Sequence, residues 1–166
     1  MGRFLAIDYG DRRIGLAVSD ATETLASPLR LLKRTEVGED FRVLVQVIDD
    51  EQIVALVVGA PLNDDGTKGA MVIRIEAFID QLLTQRALPV FWVDEAFTSI
   101  EAEEILRRSV KDWRVRRERI DVLAAQLILQ SFLNQRAMDR QRAARQQELT
   151  VEDPDQFTSE EPLEST

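Results

Sequence analysis

Three carboxylates and one basic run are the groups in this chain whose type and placement could do chemistry. Asp8 stands at the end of the apolar run Phe4–Ile7, where a core strand ordinarily keeps apolar side chains, and Gly10 follows two residues on. Glu95 comes directly after Val93 and Asp94 at the end of a second apolar run, and Asp121 falls in the first turn of a helical pattern. Taken singly, each has a plain structural reading. Asp8 could bond turn amides, Glu95 could be a loop acid with Asp94 as its nearest competitor, and Asp121 could meet the positive end of a helix dipole. Taken together, acids from a hairpin strand, a parallel strand and a helix that starts at the same sheet edge would form a discontinuous oxygen-ligand site. Converging carboxylates repel unless a divalent cation neutralises them. The chain has no Cys and no His, which excludes a disulfide framework, thiolate or imidazole ligation and His-based acid/base catalysis. Any metal must be held by oxygen.

These acids need a scaffold, and the sequence supplies one in order. Strands are expected over 3–8 and 13–19, joined through Tyr9 to Arg12 as a β-hairpin in which Gly10 offers a positive φ and Asp11 forms the turn. A third extended stretch, 24–32, contains Pro28 and therefore reads as an edge or bent strand. Phe41, Leu44, Val45 and Ile48 recur at helical spacing over 39–51, and the continuous apolar run 53–58 reads as a strand buried on both faces. A loop over 59–66 leads to a helix over 68–86, and 88–93 is the fifth strand. Thr98 and Glu101 have capping-box spacing, which predicts a short helix from about 99 to 108; a long helix over roughly 119–143 follows. The order βββαβαβα predicts an α/β fold: a mixed five-stranded sheet, an antiparallel three-strand meander plus parallel strands, with helices on both faces.

Charge sorts the candidate partners. The net charge is −9, but residues 146–166 hold seven acids and no Lys or Arg, and that tail is expected to be disordered. Residues 1–145, read as the single folded domain, keep 23 acids against 21 bases, so acidity does not exclude a polyanionic partner. Arg107, Arg108, Lys111, Arg114, Arg116, Arg117 and Arg119 face only Asp112 and Glu118, a net of +5 within 13 residues that runs straight into Asp121. That is the electrostatic footprint of phosphate-backbone binding, with Trp113 available to stack on a base; the alternative is a solvated loop. Arg12 and Arg13 in the hairpin turn are a second, weaker candidate. The N-terminus enters a strand at once, and no apolar run approaches the roughly 18 residues of a membrane span, so the expected location is the cytoplasm.

Four spaced motifs carry a resemblance. Asp8-Tyr9-Gly10 with Arg13-Ile14-Gly15-Leu16-Ala17-Val18-Ser19-Asp20, Gly59-Ala60-Pro61-Leu62-Asn63 with Asp65-Gly66-Thr67, Asp94-Glu95 with Thr98-Ser99, and Asp121 with Ala124-Ala125 and Leu129-Gln130 closely resemble the YqgF family over residues 3–135. These are RNase H-fold proteins described as nucleases for pre-16S ribosomal RNA and once grouped with Holliday-junction resolvases. The resemblance implies an RNase H-like nuclease domain that processes the 5′ end of pre-16S ribosomal RNA in ribosome biogenesis. It also implies that Asp8, Glu95 and Asp121 are the catalytic acids and bind Mg²⁺ or Mn²⁺. The chain departs from the family at Ala96, where an Arg usually follows the Glu; an Arg there could contact phosphate or orient the carboxylate, and Ala can do neither. Asp64, where an apolar residue is commoner, is a smaller departure. Two other function classes stay open: a non-catalytic RNA-binding or ribosome-assembly factor on the same fold, and a resolvase of branched DNA. An actin-like or sugar-kinase ATPase shares an Asp-x-Gly on its first strand, but the chain is too short for that duplicated architecture.

Overall fold

A computed structural model describes residues 2–35, 37–61, 65–94 and 113–151, with side chains over 38–61 and 119–147 in the second and last of these stretches. The elements are β1 (Arg3–Tyr9), β2 (Arg13–Ser19), β3 (Ala26–Lys33), α1 (Val37–Asp50), β4 (Ile53–Ala60), α2 (Ala70–Gln85), β5 (Val90–Asp94) and α3 (Trp113–Val151). The strands form one sheet in the order β3-β2-β1-β4-β5. β1 pairs antiparallel with β2 and β2 with β3, whereas β1–β4 and β4–β5 are parallel. This is the mixed sheet that the sequence pattern predicts. β3 is an edge strand, as Pro28 requires, and its ladder slips beside that proline: Leu16 pairs Arg30 while Ala17 pairs Pro28.

Period-two alternation divides the sheet into two packed faces. Leu5, Ile7, Ile14, Leu16, Val18, Leu56 and Val58 face one way and join Phe41, Leu44 and Ile48 of α1 and Ile75, Phe78, Ile79 and Leu82 of α2. Phe4, Ala6, Ala17, Ala55 and Val57 face the other way and join Ala125, Ile128, Leu129 and Leu133 of α3. Both helical faces follow from the 3.6-residue spacing of their apolar positions. Residues 1–134 form one compact unit and residues 135–166 a second.

Three expectations change. α3 runs from Trp113 to Val151 rather than from 119 to 143, so Asp121, expected in its first turn, lies in its third, away from the positive end of the helix dipole, and its last residues enter the stretch assigned to the tail. The reason is local propensity: residues 140–149 are all Arg, Gln, Ala, Glu or Leu, strong helix formers, and no Gly or Pro follows before Pro154. Gly10 does not adopt a positive φ; Gly66 is the glycine that does, among the described residues. Gly10 is needed for space instead, because a Cβ there would lie 2.6 Å from the carbonyl oxygen of Arg13, which accepts the Gly10 N–H at 2.9 Å. β5 starts at Val90 rather than at Leu88. The short helix expected over 99–108 lies outside the described residues.

Candidate active site

Asp8 is the next-to-last residue of β1 and sits on the α3 face, in step with Phe4 and Ala6. Its antiparallel partner is Gly15 of β2. On the other side the parallel ladder pairs Ile7 with Val58, so Asp8 stands one step on, beside Gly59 of β4. The half-buried carboxylate therefore rises between two glycines, at the edge of the sheet where β1, β4 and β5 all end. Neither neighbouring position carries a side chain that could cover it.

The third turn of α3 closes over this row. A Cβ on Gly15 would lie 2.0 Å from the carbonyl oxygen of Asp121 and 3.0 Å from the amide nitrogen of Val122, so the helix backbone rests directly on the glycine. Because Gly15 is the cross-strand partner of Asp8, this contact brings Asp121 into the neighbourhood of Asp8. The Asp121 carboxylate takes an ion pair from Arg13, with Nε 3.0 Å from Oδ2, and both side chains are about three-quarters covered, 24% and 25% exposed. Two expected acids and one expected basic residue thus converge. Among the described residues no group of three acidic side chains is gathered closely enough to hold a metal ion, and the third expected acid, Glu95, lies outside them. What is present fits a divalent cation in the chemistry of its donors, carboxylate oxygens held on a strand and a helix; the Arg13 guanidinium already answers part of the negative charge there.

The remaining expected site residues are distributed differently. Arg12 is exposed in the hairpin turn, and Arg119 is exposed in the first turns of α3. Arg114, Arg116 and Arg117 belong to α3, but their side chains are not described, and Arg107, Arg108 and Lys111 lie outside the described residues. Asp94, the competitor of Glu95, is exposed and alternates out of step with Phe91 and Val93, the two β5 residues packed toward α3.

Two supporting arrangements escaped the sequence reading. Gln126 and Gln130 of α3 clasp the start of β3: the Gln126 amide donates to Ala26 O at 3.0 Å, Ala26 N–H donates to the Gln130 side-chain oxygen at 2.9 Å, and the Gln130 amide donates to Thr24 O at 3.0 Å. These bonds fix α3 over the meander by backbone recognition. Under the hairpin, Arg34 pairs with the buried Asp40 at 3.1 Å and donates to the Tyr9 hydroxyl at 2.7 Å, with its guanidinium 4.8 Å from the Tyr9 ring centre. Burial alone would lower the Arg34 pKa, but the bonds to Asp40 and Tyr9 outweigh it and raise it. Tyr9 follows Asp8 on the opposite face, so this network anchors the strand end that carries the acid. Its only sequence signal is an acid, Asp40, in the first turn of an otherwise apolar helix face.

The fold and the site define a class: an RNase H-like α/β domain with carboxylates at the end of its first strand and in the third turn of its last helix. A solved structure of Thermus thermophilus RuvC in complex with a Holliday junction substrate shares this fold, with a TM-score of 0.53 at 16% identity over 82% of this chain and 96% of that one. Residues 2–135 match the sequence profile of RuvX, described as a Holliday junction resolvase, and the chain belongs to that family. A relative from Koribacter versatilis (strain Ellin345), named as a candidate pre-16S rRNA nuclease, is 43% identical over 84% of this chain and 92% of its own length. A relative from Roseiflexus sp. (strain RS-1) bearing the same name is 40% identical over 80% of this chain and 94% of its own length.

Proposed function

We propose that this protein is a divalent-metal-dependent nuclease that hydrolyses phosphodiester bonds in precursor 16S ribosomal RNA, trimming its 5′ end in the cytoplasm. The observation that carries the reading is the Asp8 carboxylate between Gly15 and Gly59 with the Asp121 backbone resting on Gly15. The names of the relatives support the substrate, and family membership supports the reaction. Asp8, Asp121 and Glu95 are the proposed metal ligands and catalytic acids. Glu95 shares the sequence parity of Phe91 and Val93, which supports it over Asp94. When bound, Mg²⁺ or Mn²⁺ supplies an activated water and neutralises charge at the scissile phosphate.

The chain's own residues do the rest. Asp8 and Asp121 are held on rigid elements, the first by the hairpin ladder and the Tyr9–Arg34 anchor, the second by the Gln126 and Gln130 clasp on β3. Arg12 and the run Arg107, Arg108, Lys111, Arg114, Arg116, Arg117 and Arg119 are the proposed phosphate contacts, which position substrate without reading its sequence. Ala96, where an Arg usually stands, favours one second reading, an RNA-binding assembly factor without turnover.

Incubation of the full chain with precursor ribosomal RNA and with a four-way DNA junction, each with Mg²⁺, Mn²⁺ or EDTA, separates these readings. RNA cleavage in metal that EDTA abolishes, and that Asp8→Asn lowers by roughly a thousandfold without loss of fold, is the expected result. Binding without cleavage selects the assembly factor; junction cleavage with intact RNA selects a DNA resolvase. Full activity in Asp8→Asn or in EDTA sinks the metal-carboxylate site.

A further inference from the structure

We propose that Arg13 is a built-in counter-cation of the acidic site, which a divalent ion must displace from Asp121 in order to bind. The inference rests on the metal-site reading above and adds a residue that opposes the metal. Arg13 opens β2 and lies two residues before Gly15, on the same face of the sheet. The absence of a side chain at Gly15 lets α3 settle onto the strand, and that approach places the Asp121 carboxylate within 3.0 Å of the Arg13 Nε. The pair differs from the protein's ordinary surface pairs. Lys68–Glu76 and Arg86–Asp49 leave one or both side chains half exposed, whereas Arg13 and Asp121 are each about three-quarters covered. A covered pair is poorly screened by solvent, so its charges strongly influence any further charge brought to the same place.

Two carboxylates in one neighbourhood repel in the metal-free protein, and Arg13 relieves that repulsion. The same contact occupies Asp121 Oδ2, an oxygen a cation would use, and leaves a positive charge facing the incoming ion. Guanidinium and metal therefore compete for one carboxylate. Arg13 stabilises the empty site and tempers its affinity, so that ion binding and movement of Arg13 are one linked event.

The test is Mn²⁺ titration of the full-length wild type, Arg13→Gln, Arg13→Lys and Asp8→Asn, read as free Mn²⁺ by its paramagnetic signal, with melting temperatures taken with and without the ion. Removal of the opposing charge should tighten Mn²⁺ binding by roughly tenfold in Arg13→Gln. The metal-free Arg13→Gln protein should melt below wild type, and Mn²⁺ should raise its melting temperature by more than it raises that of wild type. Arg13→Lys, which keeps the charge but loses the Nε contact, should bind Mn²⁺ a few-fold more tightly than wild type and decides the matter should Arg13→Gln not fold. Unchanged or weaker Mn²⁺ affinity in the folded Arg13 variants, with Asp8→Asn still abolishing binding, overturns the counter-cation and leaves the metal site standing. Wild-type Mn²⁺ affinity in Asp8→Asn, or no binding to any of the proteins, overturns the metal site and this proposal with it.

Discussion

The two faces of the sheet are packed with side chains of different size, and the difference separates stability from function. Toward α1 and α2 the strands present Leu5, Ile7, Ile14, Leu16 and Val58, met by Phe41 and Phe78, whose rings stack with centres 4.8 Å apart. Toward α3 they present Gly15 and Gly59 in the row of Asp8, then Ala6 and Ala17 in the next row. Bulk returns toward β5, at Val57, Phe91 and Val93, and at the far end, where Phe4 meets Phe132 at 5.4 Å between ring centres. Side-chain size sets how near a helix can lie to what it packs on. Small residues beside Asp8 let the third turn of α3 touch the sheet, and the aromatic cluster props the helix farther along. The bulky face stabilises the domain by burial, while the bare face gives up burial to bring two acids together.

The largest effect expected from this contrast is on stability. Phe41 is 1% exposed and packs on Phe78 in the bulky face, so Phe41→Ala should cost about 3–5 kcal/mol in urea unfolding through lost burial and the cavity left behind. Cleavage per folded molecule should hold near wild type, because Phe41 packs in the α1–α2 cluster, on the sheet face opposite Asp8. A cost under about 1 kcal/mol would mean that the α1–α2 face is not where stability resides.

Gly15→Ala should do the reverse. Its new Cβ would meet the Asp121 carbonyl oxygen at 2.0 Å, a backbone atom that cannot swing aside, so this turn of the helix must lift. Overpacking of this kind costs about 1–3 kcal/mol, and activity should fall by much more than the folded fraction, since the lift separates Asp121 from Asp8. Gly38→Ala in α1 is the control, with nothing within 4 Å of the new methyl, and should be neutral or stabilising by about 0.5 kcal/mol. Equal behaviour of the two glycine variants in stability and cleavage would remove the close approach as the organising feature of the site.

The contrast also explains what the sequence reveals. Strands and sheet class are legible because alternation and continuous apolar runs are local signals, and the edge position of β3 is legible because Pro28 cannot serve a central ladder. Asp8 is legible as an acid where acids are uncommon, and Asp121 as the acid that opens the apolar-periodic part of its helix, although the helix itself begins at Trp113. Their meeting is not legible, because it depends on a glycine fitting under a helix that begins about a hundred residues later. The same distance hides Arg13 behind Asp121: in sequence it reads as one of two turn arginines, and only tertiary packing sets it apart from Arg12. The end of α3 is hidden for the opposite reason, since propensity carries that helix beyond the last apolar contact that periodicity can report.

The smallest effect tests the far fastening of α3. Asp20 follows β2 and accepts bonds from the Thr22 hydroxyl, from Thr24 N–H at 2.8 Å and from Leu25 N–H at 3.0 Å, which hold its carboxyl at about 2, below its ordinary value of 3.8. The turn it closes delivers Thr24 and Ala26 to Gln130 and Gln126, so the exposed acid indirectly steadies the bare face. Because the folded-state value is depressed, the contribution is complete above about pH 4 and is lost as pH falls toward 2. Asp20→Asn retains an acceptor oxygen but no charge, so it should melt slightly below wild type at pH 6, and the two melting curves should converge as pH falls from 4 to 2. Added salt should narrow the gap at pH 6, as expected for a charge within reach of solvent. A gap that stays constant across this range would show that the turn is held by its geometry alone, and that the polar clasp on α3 owes nothing to the charge of Asp20.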